Sequence, residues 1–250
     1  MNYSFKVSGW PERLWRNNNM ADIARGNVPG SVPYSTFGES LSLAGIESVV
    51  REVGMPAALT VPNSIRLTLV SSSASDTGTI VIKYLDGNLL AREERITLTG
   101  TTPVSTVAGD IRAVNNAYSL NGPVVGNIDF TNAGVRYAYI PAGDVQFNTS
   151  LHRIPINKRL MIQTLYGGAA SGSSAARVVI KLETSFINGD SFANQGFLHP
   201  LGAIALQDSS TSLGGGGLFP IPGGEWVGFT AKSDKDATVT AGLFGFLEDA

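Results

Sequence analysis

Cysteine is absent from this 250-residue chain. That excludes disulfides, thiolate metal centres and cysteine nucleophiles. Histidine is nearly absent, with His152 and His199 as the two instances. Neither has a second histidine or a carboxylate at ligand spacing, so no metal site is expected. Charge is scarce as well: Asp, Glu, Lys and Arg make up 15% of the chain, against roughly 25% in soluble globular proteins. A net charge of −2 implies no basic face for nucleic acid. No apolar run approaches the ~20 residues of a membrane span. Residues 1–19 lack the apolar core of a signal peptide. Neither nucleic acid nor membrane is an expected partner.

What the chain does have is 29 Gly and 12 Pro among many Ser, Thr and Asn residues. Few charges among many small polar residues make a surface suited to packing against other subunits. The length allows one large all-β domain or two small ones.

Residues 1–62 give few regular signals. Gly26, Pro29, Gly30 and Pro33 interrupt the chain, and the Asn run at 17–19 favours turns. Between 43 and 53, Ile46, Val49, Val50 and Val53 fit helical spacing, while their β-branching argues equally for a short strand. The segment reads as an extended N-terminal arm with at most one short element. Trp10 and Trp15 are costly to leave wet, so they either anchor onto another surface or cap the chain's own core.

From residue 63 the period is two. Ile65, Leu67 and Leu69 alternate with polar neighbours, as do Ile80 and Ile82. Asp86-Gly87-Asn88 supplies a hairpin turn able to take φ > 0. Its return strand covers 89–98, with Glu93, Glu94 and Arg95 solvated. Further strands are expected at 111–117, 124–130, 135–140 and 145–154. A second hairpin is expected to pair 159–166 with 177–185, and a third to pair 226–232 with 238–247. Residues 188–224 form a long irregular insertion rich in Gly and Pro, of the kind usually functional or held by a partner. The fold class is therefore all-β, an antiparallel sandwich or jelly roll over 63–250.

Catalytic motifs do not survive inspection. Asp76-Thr77-Gly78 matches the aspartic-protease tripeptide, but that chemistry needs two carboxylates sharing a proton. Here one copy follows a serine run rather than an apolar strand, and a loop satisfying its own backbone groups accounts for it. No Gly-x-Ser-x-Gly elbow exposes a nucleophile. The glycine run at 214–217 lacks the Lys-Ser/Thr of a phosphate loop. Glu93 and Glu94 are neighbours in a strand and so face opposite ways. Asp234 and Asp236 read as a solvated hairpin tip rather than a cation site. The chain is expected to be no enzyme, with no cofactor, metal or catalytic residue.

Several segments occur in a suggestive order. Ser71-Ser72-Ser73-Ala74-Ser75-Asp76-Thr77-Gly78 precedes a strand and an Asp-Gly turn. Thr97-Leu98-Thr99-Gly100-Thr101-Thr102-Pro103-Val104 follows, then Ile111-Arg112-Ala113-Val114 and Gly126-Asn127-Ile128. Tyr139-Ile140-Pro141-Ala142-Gly143 leads to Arg153-Ile154-Pro155-Ile156. Over residues 65–187 this succession resembles a family of structural virion proteins of tailed bacteriophages. The resemblance implies a capsid decoration (cement) protein, a homotrimer bridging major capsid protein subunits in a virion assembled in the host cytoplasm. Candidate interface residues are Trp10, Trp15, Tyr34, Phe37, Phe197, Leu218 and Phe219. A tail or fibre protein of host adsorption and, more remotely, a carbohydrate-active β-sandwich enzyme are the alternatives.

Overall fold

Strands in this chain are written by β-branched and aromatic residues set between small polar ones, a pattern that suits a pleated surface buried on one side. The computed structural model describes residues 20–42, 44–45, 47–50, 52, 55, 62–171, 176–185, 199–207, 210–214 and 220–250. A short helix, α1 (Met20–Ala24), leads into β1 (Ser31–Ser42) and β2 (Glu47–Val49). Next come β3 (Thr68–Ser71), β4 (Thr79–Leu85), β5 (Ala91–Thr97), β6 (Val104–Ser105), β7 (Ala113–Ser119), β8 (Ile128–Asn132) and β9 (Val135–Ile140). The chain then runs through β10 (His152–Arg153), β11 (Lys158–Ala170), β12 (Arg177–Ser185), β13 (His199–Gln207), β14 (Ser210–Gly214), β15 (Trp226–Ser233) and β16 (Ala237–Asp249). The protein is all-β, and its strand ladders are antiparallel.

Two sandwiches result. In the first, the sheet β1-β16-β11-β14 faces the sheet β10-β15-β12-β13, with β2 also paired to β15. Leu160, Ile162, Val178, Ile180, Leu182, Val227, Phe229, Val239 and Leu243 fill the space between them. In the second, β6-β3-β8-β9 faces β5-β4-β7 around Leu67, Leu69, Ile80, Ile82, Ile128, Phe130 and Ile140. Each such fully buried side chain contributes roughly 1.5–3 kcal/mol of transfer free energy. The second sandwich is one contiguous stretch inserted between β2 and β10 of the first.

The extended-arm expectation is corrected over residues 31–49. β1 pairs with β16 over its whole length, from Ser31↔Glu248 to Ser42↔Ala237, and the doubtful segment near residue 46 provides β2. Val32 and Tyr34 share one parity of β1 with Thr36, Gly38 and Ser40, while Phe37 and Leu41 fall on the other, so no alternation announces the strand. β16, apolar on its inner face, supplies the template. Pro33 is tolerated because β1 is an edge of its sheet. Residues 1–19, with Trp10 and Trp15, lie outside the described residues.

The first hairpin forms as expected, β4 pairing β5 from Thr79↔Thr97 to Leu85↔Ala91. Its positive φ falls on Leu89, at 59°, rather than on Gly87. The Asp86 carboxylate secures the turn by accepting the Asn88 and Leu90 amides and the Arg92 Nε. The other two hairpins do not form. β11 pairs with β16 and β14, whereas β12 pairs with β13 and β15. β15 and β16 likewise lie in opposite sheets. Both connections cross the sandwich, because either arrangement presents the same alternating apolar set to the same core. Asp234 and Asp236 act as clasps at that crossing, accepting the Arg177 and Ala44 amides. The insertion expected to be irregular over 188–224 carries β13 and β14. The strand expected over 145–154 reduces to β10.

Candidate functional site

The two sandwiches meet over a small apolar junction of Leu85, Ala113, Leu151 and Trp226. A β-bulge makes the contact specific. Between Lys83 and Tyr84 the register on β7 jumps from Asn116 to Val114, which leaves Asn115 as the extra residue. Its amide reaches across to β10, donating to the Arg153 carbonyl at 2.7 Å and accepting the Arg153 amide at 2.9 Å. Arg153 is itself buried, its Nε donating to the Gly224 carbonyl and its guanidinium lying 5.7 Å from the centre of the Trp226 ring.

Beside this junction lies a cleft of about 490 Å3. One wall is the outer face of β5-β4-β7, with Lys83, Glu93 and Asn116. The other is the start of β1 (Pro33, Tyr34, Ser35) with Leu247, His152 and Pro155. At its base the Tyr34 hydroxyl shares a 2.6 Å hydrogen bond with His152 Nδ1. Burial pushes the imidazole down to about 4 and raises the Tyr34 phenol well above its ordinary value. Both groups are therefore neutral at pH 7 and hold two strands together.

A second feature is the outer face of the β1-β16-β11-β14 sheet. Tyr166 lies across Gly242, and its hydroxyl crosses β16 to donate to the Thr36 carbonyl at 2.7 Å. Any Cβ at Gly242 would collide with that hydroxyl and that carbonyl. Phe37 stacks on Tyr166 with ring centres 6.5 Å apart, and Phe244 tilts against Tyr166 at 5.2 Å. Phe37, Phe244 and Leu41 remain 38%, 49% and 53% exposed. The register places Ser35, Thr238, Thr240, Thr164, Gly168 and Ala170 around them. Among the described residues of this face, charge is confined to Glu39 and the Arg159–Glu248 pair at one end.

Asp76, the protease look-alike, is a buried structural carboxylate at the far end of the inserted sandwich. It accepts the Ser71 hydroxyl and the amides of Val125 and Gly126 at 2.5, 2.8 and 2.8 Å. Burial alone would raise its pKa, but those three donors hold it below the usual carboxylate range. It thus ties its loop to a strand start some 50 residues on, rather than serving its own backbone. No group of three or more metal-ligating side chains occurs among the described residues.

The expected interface residues separate. Phe37 stands on the aromatic face, whereas Tyr34 turns into the first core and binds His152. Phe197, Leu218 and Phe219, like Trp10 and Trp15, lie outside the described residues. Sequence reasoning missed Tyr166 and Phe244. The signal was present in Leu243-Phe244-Gly245-Phe246-Leu247, a run apolar on both faces of one strand.

No family model matches the chain, and no curated protein matches it. Solved structures with some likeness include the Gt strain of infectious bursal disease virus, at 9% identity and TM-score 0.21 over 87% of this chain and 72% of that one. Another is the T=1 particle derived from infectious bursal virus, at 12% identity and TM-score 0.16 over 87% and 69%. Superpositions at that level establish neither fold nor function.

Proposed function

We propose that this chain is a structural component of a tailed-phage virion, a capsid decoration (cement) protein that bridges major capsid subunits as a homotrimer. The observation carrying this reading is the aromatic face of the β1-β16-β11-β14 sheet. Its three long strands of 12 and 13 residues span roughly 10 by 40 Å, about half of the ~800 Å2 that each partner buries in a specific interface. Exposed aromatic anchors in a nearly uncharged surround are what a subunit contact requires. The ordered resemblance over residues 65–187 supports the same reading.

Sedimentation of the purified chain with undecorated phage heads tests it. Saturable co-sedimentation, lost in the Phe37→Ser/Phe244→Ser variant, is expected, with light scattering reporting a trimer. A chain that stays in the supernatant at every concentration would overturn the proposal.

A further inference from the structure

One end of the aromatic face is already covered by the chain that leads into it. Ile23 of α1 and Phe246 of β16 are both buried, yet neither belongs to the two cores or to the junction cluster. Phe246 shares a face with Phe244, two positions away on the same strand, and α1 packs against β1 and β16. The chain therefore enters β1 across this face, with Ile23 seated over Phe246. Beyond Phe246 the face continues through Phe244, Phe37, Glu39 and Leu41. The Glu39 carboxylate has no hydrogen-bonding or ionic partner among the described residues.

Upstream of Met20 the sequence reads Trp10-Pro11-Glu12-Arg13-Leu14-Trp15-Arg16, a stretch outside the described residues. Trp15 precedes Met20 by five residues and Trp10 by ten, which gives extended reaches of up to about 17 and 34 Å. On the sheet, Phe37 stands opposite Gly242, four residues from Phe246, and Leu41 opposite Thr238, eight residues from it. Those steps measure roughly 13 and 26 Å along a strand. Each tryptophan can thus reach one apolar station. Arg13 falls between the tryptophans as Glu39 falls between Phe37 and Leu41.

From this correspondence we infer that residues 10–16 cover the aromatic face of their own chain before assembly. Trp15 rests against Phe37 and Phe244, Arg13 pairs with Glu39, and Trp10 lies on Leu41. The contact takes from water large rings that are costly to leave exposed on either side. A second copy seated on the face would leave both tryptophans wet and bring no cation to Glu39. Only one consequence rests on the virion reading, namely that a capsid subunit must displace this segment to reach the face.

Photocross-linking of the isolated full chain tests it, with Trp15 replaced by benzoylphenylalanine. Cross-links to peptides carrying Phe37, Tyr166 or Phe244 are expected, in a product that migrates as a monomer on a denaturing gel. Arg13→Glu should lower their yield about threefold, the worth of one exposed ion pair, and adding Glu39→Arg should restore it. Circular-dichroism melts near wild type show that the variants fold. A product that migrates as a dimer overturns the inference in favour of a second copy. Cross-links to other surfaces, no cross-links, or a yield indifferent to Arg13→Glu overturn it too. No heads enter this experiment, so its failure leaves the virion reading standing, whereas a chain that cross-links as expected yet ignores heads defeats that reading alone.

Discussion

Tyr34 and His152 are 118 positions apart in the chain and 2.6 Å apart in the fold. They join β1, at the edge of one sheet, to β10 in the facing sheet, next to the base of the inserted sandwich. Their bond makes the N-terminal strand part of the core rather than an arm reaching elsewhere.

The burial of His152 makes stability depend on pH. Folding depresses His152 from 6.5 to about 4, so its contribution is complete above pH 6.5 and is lost as pH falls from there towards 4. A shift of this size corresponds to on the order of 3 kcal/mol. Melting temperature measured from pH 7 to pH 4.5 should fall in the wild type. His152→Gln should start lower and show a flatter profile, whereas a parallel decline in both would dissociate the effect from this residue.

Asp76 holds the distal loops of the inserted sandwich through three donors. Asp76→Ala leaves the buried Ser71 hydroxyl and Gly126 amide without their acceptor and should cost about 3 kcal/mol by urea denaturation. Because its folded pKa is depressed, its contribution is present above the ordinary carboxylate value and lost below it. The variant should therefore be less acid-sensitive than the wild type below pH 4.

Asn115 is the residue that the bulge on β7 re-aims at Arg153. Asn115→Ala leaves the Arg153 amide and carbonyl without that partner and should destabilise the junction by roughly 2 kcal/mol. Calorimetry should then resolve the single transition of the wild type into two, as the sandwiches unfold less cooperatively. A single sharp transition at the original temperature would show that the junction is held by Leu85, Leu151 and Trp226 alone.

On the aromatic face, the two kinds of residue should respond oppositely. Phe37→Ser and Phe244→Ser remove half-exposed rings and should change folding stability by about 1 kcal/mol or less, while abolishing particle binding. Gly242→Val drives a side chain into Tyr166 and the Thr36 carbonyl and should cost about 2 kcal/mol or more. Denaturant melts of the three variants separate contact from scaffold.

Period-two alternation, turn residues and the absence of cysteine were enough to establish an antiparallel all-β chain and its first hairpin. Those signals are local, and β4 pairs with its immediate neighbour in sequence. Pairing across the sandwich was not legible. The strands β11, β12, β15 and β16 offer the same inward apolar set whether joined as hairpins or split between sheets, and the choice rests on contacts distant in the chain. The Asp76-Thr77-Gly78 loop was visible as a turn, but its bond to Val125 and Gly126 needed the fold to bring them together. Phe244 and Tyr166 could be read as apolar, yet their meeting across Gly242 depends on the β1–β16–β11 register. Composition and alternation are properties of the chain and determined the class. Which faces meet, which carboxylate is buried and where the cleft opens depend on long-range packing, and the tertiary structure alone decided them.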